Sequence, residues 1–445
     1  MPDGPVAWIV AGAAVYLLGS YAVGGPLTLA HAVVAIATRR RARYRGHADD
    51  VLATSRFTIP VSIILPAGAD ADVTAAAEHL LGLAYPEFEV IVVTSGGVAP
   101  DLRRRFELKA CEIFFRRTLQ TPAVRALYRS ATDARLLIVD CDARTRGDAL
   151  NCGVNMARNR YVCCADHRAR YTTGSLLASM QPAVEDPGAV VAVTTTITAD
   201  SDDGSAGGSR PDLHQLLQRL SALRDVLGPG GRRRLRLAPE GLHGFTLWRR
   251  DVVLETGGFS PDLVAEQADL TLRAHRQLLR SGQPYRIVHI TEPVGRAADQ
   301  MALAMLLEEQ TRRRDALASA VWRSRGMLFN PAYGRMGLID LPQLLLSTVV
   351  VPWLELMCLA LLPFASAAGV LSTSDLIVVI AAIAVGNGLL IDTALLRSPM
   401  ELSERQVLEL VLLAPFELFV GRPVGLWSRL TGLTRAVARP DVLPV

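Results

Sequence analysis

Lysine is all but missing from this chain: Lys109 is the only one, and the rest of the positive charge is carried by arginine. Codon composition explains that bias as readily as function does. A net charge of +4 over 445 residues is too small to mark a surface that tracks a phosphate backbone, so no nucleic-acid partner is expected. The six cysteines show no C-x-x-C spacing and most sit in apolar runs, the pattern of buried thiols rather than of disulfides or zinc ligands. No internal repeat is visible. Charge is absent in a more telling place: residues 4–38 contain no Asp, Glu, Lys or Arg, and a run of that length is enough for a helix to cross a bilayer.

The flanks of this run give it a direction. Asp3 precedes it and "RRRARYRGH" follows, the reverse of a secretory signal, so residues 1–40 read as an uncleaved transmembrane anchor with its N-terminus outside. The positive-inside rule then places the following domain in the cytoplasm. Half the residues are hydrophobic and the mean hydropathy is +0.26, which suits a multi-pass protein of the cell (plasma) membrane in contact with lipid. Further along, residues 341–374 carry one charge, Glu355, and residues 376–391 carry none. These read as two spans joined outside by "SAAGVLSTSD". The segment 406–421, with Glu409 and Glu417, is either a short fourth span or a helix lying in the interface. The expected division is therefore an anchor at 1–40, a cytoplasmic domain at 55–335, transmembrane or interfacial helices at 338–425 and a cytoplasmic tail at 426–445.

Between about residues 59 and 295 short β-type runs alternate with helical patterns. "VSIILPA", "FEVIVVTS", "CEIFFRR", "RLLIVD", "YVCCAD" and "VVAVTTTIT" predict strands, with helices over 145–158 and 173–186. This is an α/β domain with a mostly parallel sheet. Ligands of such sheets bind beyond the carboxyl ends of the strands, which directs attention to Thr94–Gly97 and Asp166–Arg168. "DSDDGSAGGSR" at 200–210 predicts a loop. The leucine stripe of 213–227 predicts a helix lying against the domain or the membrane surface.

Several blocks, in order, carry a resemblance. "RTRGDALNCGVNMARNRYVCCADHR", "GFTLWRRDVVLETGGF", "AEQADLTLR", "EEQTRRRDAL" and "LFNPAYGRMGLIDLPQLLLSTVVVPWLEL" together resemble a membrane-bound family 2 glycosyltransferase across nearly the whole chain. The resemblance implies a GT-A-type nucleotide-diphospho-sugar transferase fold with transmembrane helices at both ends. It also implies where donor, metal and acceptor would bind, and at those stations the chain departs from the pattern. The family's P-A-Y-N-E falls on Pro66, Ala67, Gly68, Ala69 and Asp70. Its D-G-S, whose aspartate holds the base, falls on Ser95, Gly96 and Gly97; a serine cannot offer the charge-assisted acceptor that a carboxylate does. K-A-D-A-L-N becomes Arg146, Gly147, Asp148, Ala149, Leu150 and Asn151, with Asp148 either at the donor or serving as a helix cap.

The metal-holding D-A-D falls on Asp166, His167 and Arg168, so a guanidinium stands where the second carboxylate would help grip a divalent ion; a slipped register would pair Cys164 with Asp166 instead. Magnesium and manganese take hard oxygen donors and are repelled by a cation, so loss of the metal site, and no cofactor, is the expectation. Arg168 would either neutralise a diphosphate or pair with Asp166. In the family's E-D block the general base falls on Gln267, between Glu266 and Asp269, and an amide cannot take a proton at neutral pH. Q-x-x-R-W falls on Gln310, Thr311, Arg312, Arg313 and Arg314, without the tryptophan that would floor the acceptor. The membrane-proximal block keeps Asn330, Pro331, Tyr333, Gly334, Gly337, Pro352 and Glu355.

Two functions follow. One is a degenerate pseudo-glycosyltransferase acting as partner or regulator of an active synthase subunit in cell-envelope polysaccharide or glycolipid synthesis. The other is an active, metal-independent transferase using a nucleotide-sugar or polyprenyl-phosphate sugar, with Arg146, Arg168 and Arg313 on the diphosphate and Glu266 or Asp269 as base.

Overall fold

The computed structural model describes residues 58–67, 73–199, 245–262, 265–297, 317 and 319–346, together with a few isolated positions. The anchor, the later apolar spans beyond residue 346 apart from a few isolated positions, the 200–210 loop, the 213–227 helix, Asp70, Gln310, Arg313, Arg314 and Glu355 lie outside the described residues. Among the described residues no helix is long and apolar enough to cross a membrane.

The strands are β1 (Val61–Ala67), β2 (Phe88–Thr94), β3 (Leu108–Ala110), β4 (Val124–Ser130), β5 (Leu136–Cys141), β6 (Tyr161–Cys164), β7 (Ala169–Tyr171), β8 (Val190–Ala199), β9 (Thr246–Arg249) and β10 (Arg286–Ala297). Among the described residues they form one sheet in the order β3-β4-β5-β2-β1-β6-β9-β8-β10-β7. The centre is parallel, with β5, β2, β1 and β6 running side by side. β9 enters antiparallel between β6 and β8. Every residue of β1 and β5 is buried, Ser62 and Asp140 included, and the rest of both strands is apolar because both of their faces are covered.

One face carries α1 (Val73–Leu81), α2 (Pro100–Arg105) and α4 (Ser175–Glu185), packed through Ala77, Leu80, Leu102, Leu176 and Met180 onto Val90, Val92 and Ile138. The other carries α3 (Arg146–Met156), α5 (Arg250–Glu255) and α6 (Glu266–Ser281), packed through Leu150, Val253, Leu270 and Ala274 onto Ile64, Ile91 and Val139. A third, smaller core joins Ala265, Ala268 and Leu272 of the α6 region to Leu317, Val321, Met327, Tyr333, Leu341 and Leu344.

The chain departs from the expected strands at residues 111–117, and β3, β4, β7, β9 and β10 are not among those expected. "CEIFFRR", 111–117, is not a strand. Cys111, Ile113 and Phe115 pack on the core while Phe114 is fully exposed, so the alternation records one-sided packing of an extended segment. After Cys111 N–H donates to Leu127 O at 2.9 Å the ladder stops, and Asn155 takes over, accepting from Leu119 N–H and donating to Leu119 O at 3.0 Å each. The strands here are β3 and β4, an antiparallel pair on the edge of the sheet beside β5. β7 and β9, of three and four residues, are too short to show a period of their own.

Candidate active-site cleft

The candidate site lies where the carboxyl end of β6 meets the first turns of α3 and α6. Local chemistry starts α3 at Arg146: Thr145 is the N-cap, its hydroxyl accepts from Asp148 N–H at 3.1 Å, and Asp148 Oδ2 accepts from the Thr145 and Arg144 amides at 3.2 Å. This is a capping box. Asp148 therefore serves the helix end, the second of the two roles its sequence position allowed.

The loop after α5 fastens the two helix starts together. Buried Asn151 on α3 accepts from Phe259 N–H at 2.7 Å and donates to Phe259 O at 2.8 Å. Gly258, at φ +80°, has no room for a Cβ beside Asn151. A Cβ on Gly147 would lie 2.7 Å from Ser260 O, so only glycine permits that approach. From the other side Asp269 on α6 accepts from Ser260 Oγ at 2.6 Å and from Arg273 Nε at 2.8 Å, and Arg273 continues to the Thr256 and Gly258 carbonyls at 2.6 Å. Asp269 is 1% exposed. All of this binds α3, the loop and α6 into one block, and it occupies Asp269.

That block brings Arg146 to the acidic centre. Its Nη1 donates to Asp166 Oδ2 at 3.2 Å, its Nε to Glu266 Oε1 at 3.1 Å and its Nη2 to Ala165 O at 3.2 Å. Asp166 and Glu266 are 4% and 5% exposed, whereas the Arg146 side chain keeps 31% of its surface open. Burial works against the charge on Arg146, but Asp166 and Glu266 more than offset it and hold its pKa above the ordinary value. Burial also pushes the Glu266 carboxyl upward, against the pull of Arg146.

Asp166 is held further by its own chain. Its N–H donates to the Tyr171 hydroxyl at 2.8 Å, and its Oδ1 accepts from the Arg168 amide at 2.9 Å. The Arg168 guanidinium stands 3.8 Å from Oδ1, with 42% of the side chain exposed, and His167 Nδ1 is 3.6 Å away. The three cationic or ionisable neighbours thus surround one carboxylate. Opposing unit charges and like charges alike interact at about 4 kcal/mol at 4 Å near a protein surface, so a divalent ion placed at Asp166 would meet strong repulsion from Arg146. Among the described residues no three His, Cys, Asp or Glu side chains converge to hold a metal. Cys164, the alternative partner in a slipped register, is a thiol that burial pushes up to about 11, and sulfur is a soft donor unsuited to magnesium or manganese.

Gln267 is turned toward β9 and the end of β6. Its Oε1 accepts from the indole N–H of buried Trp248 at 3.1 Å, so it ties α6 to β9. At the carboxyl end of the neighbouring strand β1, Pro66 and Ala67 are buried beside Val93 and Thr94 of β2. Ser95 Oγ donates to Ala143 O at 2.6 Å, and Gly96 and Gly97, at φ +89° and +109°, make an open turn. Of the residues singled out from the sequence, the fold unites Arg146, Asp166, Arg168 and Glu266. It sends Gln267, Asp269 and Asp148 into the framework. Ala165 and Tyr171 also hold the centre and were not foreseen; a tyrosine five places after the aspartate is the only sequence signal either offers.

No family model and no curated protein matches the chain. Among solved structures it is similar to S. aureus TarS residues 1–349 in complex with UDP-GlcNAc, at 14% identity and a TM-score of 0.40 over 82% of this chain and 92% of that one. It is also similar to glucosyl-3-phosphoglycerate synthase from Mycobacterium tuberculosis with Mn2+, UDP and phosphoglyceric acid, at 16% identity and 0.39 over 62% and 82%. A third is mannosyl-3-phosphoglycerate synthase from Rubrobacter xylanophilus, at 16% and 0.36 over 60% and 75%. None of the three bears on the chemistry of this chain.

Proposed function

We propose that this chain is a membrane-integrated GT-A-type protein resembling family 2 glycosyltransferases, whose cleft carries its own cation in place of a divalent metal and does not turn over a sugar donor. It serves as partner or regulator of an active synthase in cell-envelope polysaccharide or glycolipid synthesis. The observation that carries this reading is Arg146, which bridges Asp166 and Glu266 and so sets a positive charge between the two carboxylates that metal binding and proton removal would require. The base position supports it too. Gln267 is an amide committed to Trp248, Asp269 is committed to Arg273 and Ser260, and Glu266 is held in an ion pair with Arg146.

The second reading, an active metal-independent transferase, is favoured by one observation: Arg146 and Arg168 both keep open surface beside the carboxyl end of β6, where two guanidiniums could share a diphosphate. Calorimetry with UDP and with a UDP-sugar, with and without manganese, on the detergent-purified full chain separates the readings. Absence of donor binding and turnover is expected. Metal-dependent tight binding would overturn the proposal, and metal-independent binding with sugar transfer would establish the second reading in its place.

A further inference from the structure

Positive charge without a counter-charge gathers at one end of the sheet. Among the described residues β3 is the last strand on that side, with β4, β5, β2 and β1 between it and β6. Lys109 on β3, Arg129 on β4, and Arg116 and Arg117 just past β3 have no carboxylate partner among the described residues. The nearby Asp101, Asp133 and Asp140 are each held by an arginine of their own, which leaves only Glu107 and Glu112 to oppose these charges. Lys109 and Arg129 stand directly opposite each other across the β3–β4 ladder. Like charges in that register weaken a sheet, so the pair does nothing for the fold. The backbone beside them is open as well. Cys111 N–H is the last to join the ladder, and from 112 to 117 no backbone N–H has a partner among the described residues. Ile113 and Phe115 hold the segment against the core, while Phe114 between them is fully exposed.

A row of unpaired amides at a sheet edge is a template for another strand, and proteins guard such edges with short strands and with charge. Guarding alone does not explain a fully exposed phenylalanine, and charge of one sign admits as well as excludes. A second copy of this chain laid on the edge would set basic side chains against basic ones. An acidic strand would be drawn in. We propose that β3 and residues 111–117 receive an extended acidic segment of a partner protein as an added strand, with carboxylates against Lys109 and Arg117 on one face and an apolar side chain against Phe114 on the other. Successive residues of a strand point to opposite faces, so 109 and 117 fall on one side and 114 on the other. The main chain of the segment supplies the bonds that 112–117 lack, and its alternate side chains give the selectivity. Nucleic acid and anionic lipid fit less well, because neither offers amides to an open ladder and Glu112 would repel a continuous run of phosphates. The surface goes beyond the reading of the cleft and holds whether or not the cleft turns over a donor.

The probe is a short fluorescein-labelled peptide in which glutamate alternates with valine, titrated by anisotropy into the detergent-purified full chain. No sugar donor is present, so the result is independent of the donor calorimetry. Binding that weakens with salt is expected, and Arg117→Glu and Phe114→Ser should each weaken it severalfold. Lys109→Glu sets opposite charges across the ladder at Arg129, so it should not lower the melting temperature, yet it should weaken the peptide severalfold. That split is one a purely structural role would not produce. Arg286→Glu, an exposed change on β10 toward the other end of the sheet, should leave binding unmoved. Two versions of the peptide, N-methylated on one or the other alternate set of amides, carry the same charge; only the one blocked on the ladder side should lose binding. If both methylated peptides bind as the parent peptide does, the contact is charge alone and the added strand is overturned. If the alternating peptide does not bind, or binds the parent chain and the charge variants alike, the surface itself is overturned. Phosphatidylglycerol vesicles that bind the parent chain and not the charge variants, while the peptide fails to bind, would also overturn it and assign the edge to lipid.

Discussion

Two arginine–carboxylate clusters meet at the first turn of α6, and the contrast between them separates framework from site. Around Asp269 the bonds are short, from 2.6 to 2.8 Å, the partners lie on the same helix and the adjacent loop, and the carboxylate is 1% exposed. Around Glu266 the bonds to Arg146 and its acceptors are longer, 3.1 to 3.2 Å, the partners come from α3, β6 and α6, and the guanidinium keeps nearly a third of its surface open. A cluster made from neighbours in sequence and closed to water staples a loop. A cluster made from three distant elements at a cleft edge has been drawn together by the fold around a place where something could bind.

The largest effect should come from emptying the open cluster. Arg146→Ala leaves Glu266 buried without its ion-pair partner and Asp166 with only the more distant Arg168 guanidinium, at 3.8 Å, as counter-charge, and breaking a buried pair in this way costs about 3–5 kcal/mol. The loss should shrink in acid, because both carboxyls then take protons and the repulsion disappears. Melting followed by circular dichroism in detergent, with and without manganese, checks this. Manganese should raise the melting temperature of the variant but leave the parent unmoved; stabilisation of the parent would mean that the guanidinium does not exclude the metal.

Next comes the closed cluster. Asp269→Asn keeps the shape but weakens the contacts to Ser260 and Arg273, and hydrogen bonds to a charged group contribute about 1.5–3 kcal/mol. Manganese should do nothing for this variant. A metal response here as strong as in Arg146→Ala would erase the distinction between the clusters. Gln267→Leu belongs with the framework too: it leaves the Trp248 indole N–H buried without its acceptor, at a cost of about 1–3 kcal/mol. A donor-binding defect without loss of stability would instead return Gln267 to the site.

The sequence was most legible where burial acts on both sides of a strand. The largely apolar runs at 63–67, 136–139 and 161–164 predicted strands of the parallel centre, because a sheet covered on both faces takes such runs. It was least legible away from that centre: "CEIFFRR" alternates as a strand does yet pairs with nothing beyond Cys111, and β7 at the edge and β9 between β6 and β8 are too short for periodicity. In the cleft, Asp166 and Arg168 stand two residues apart, and their proximity could be read from spacing. Arg146 could not be paired with Asp166 and Glu266 in that way, because 20 and 120 residues separate them and the fastening runs through Asn151, Gly147 and Ser260. The fates of Gln267 and Asp269 were hidden for a related reason: neighbouring helix positions differ in direction by about 100°, and only the packing of α6 tells which of them faces the cleft.

Smaller effects sharpen the contrast. Arg168 reaches Asp166 only at 3.8 Å and is largely exposed, so Arg168→Ala should cost no more than about 1 kcal/mol, as exposed ion pairs do. A larger loss would show that Arg168 shares the work assigned to Arg146.

The finest distinction is one of sign in the pH dependence. Burial raises the Glu266 carboxyl above its ordinary value, so its contribution to stability is fully present below the unfolded pKa and is lost as pH rises through the folded one. At the half-exposed loop pair far from the cleft, the Arg135 side-chain hydrogen bond holds the Asp133 carboxyl below its ordinary value, so that contribution is present above the unfolded pKa and is lost as pH falls through the folded one. Stability of the parent relative to Glu266→Gln should therefore decline as pH rises above about 4.3, whereas stability relative to Asp133→Asn should decline as pH falls below about 3.9. Denaturant unfolding of the three proteins across that interval reads both slopes. If the two differences moved in the same direction, burial would not dominate at Glu266, and the open cluster would be an ordinary solvated ion pair after all.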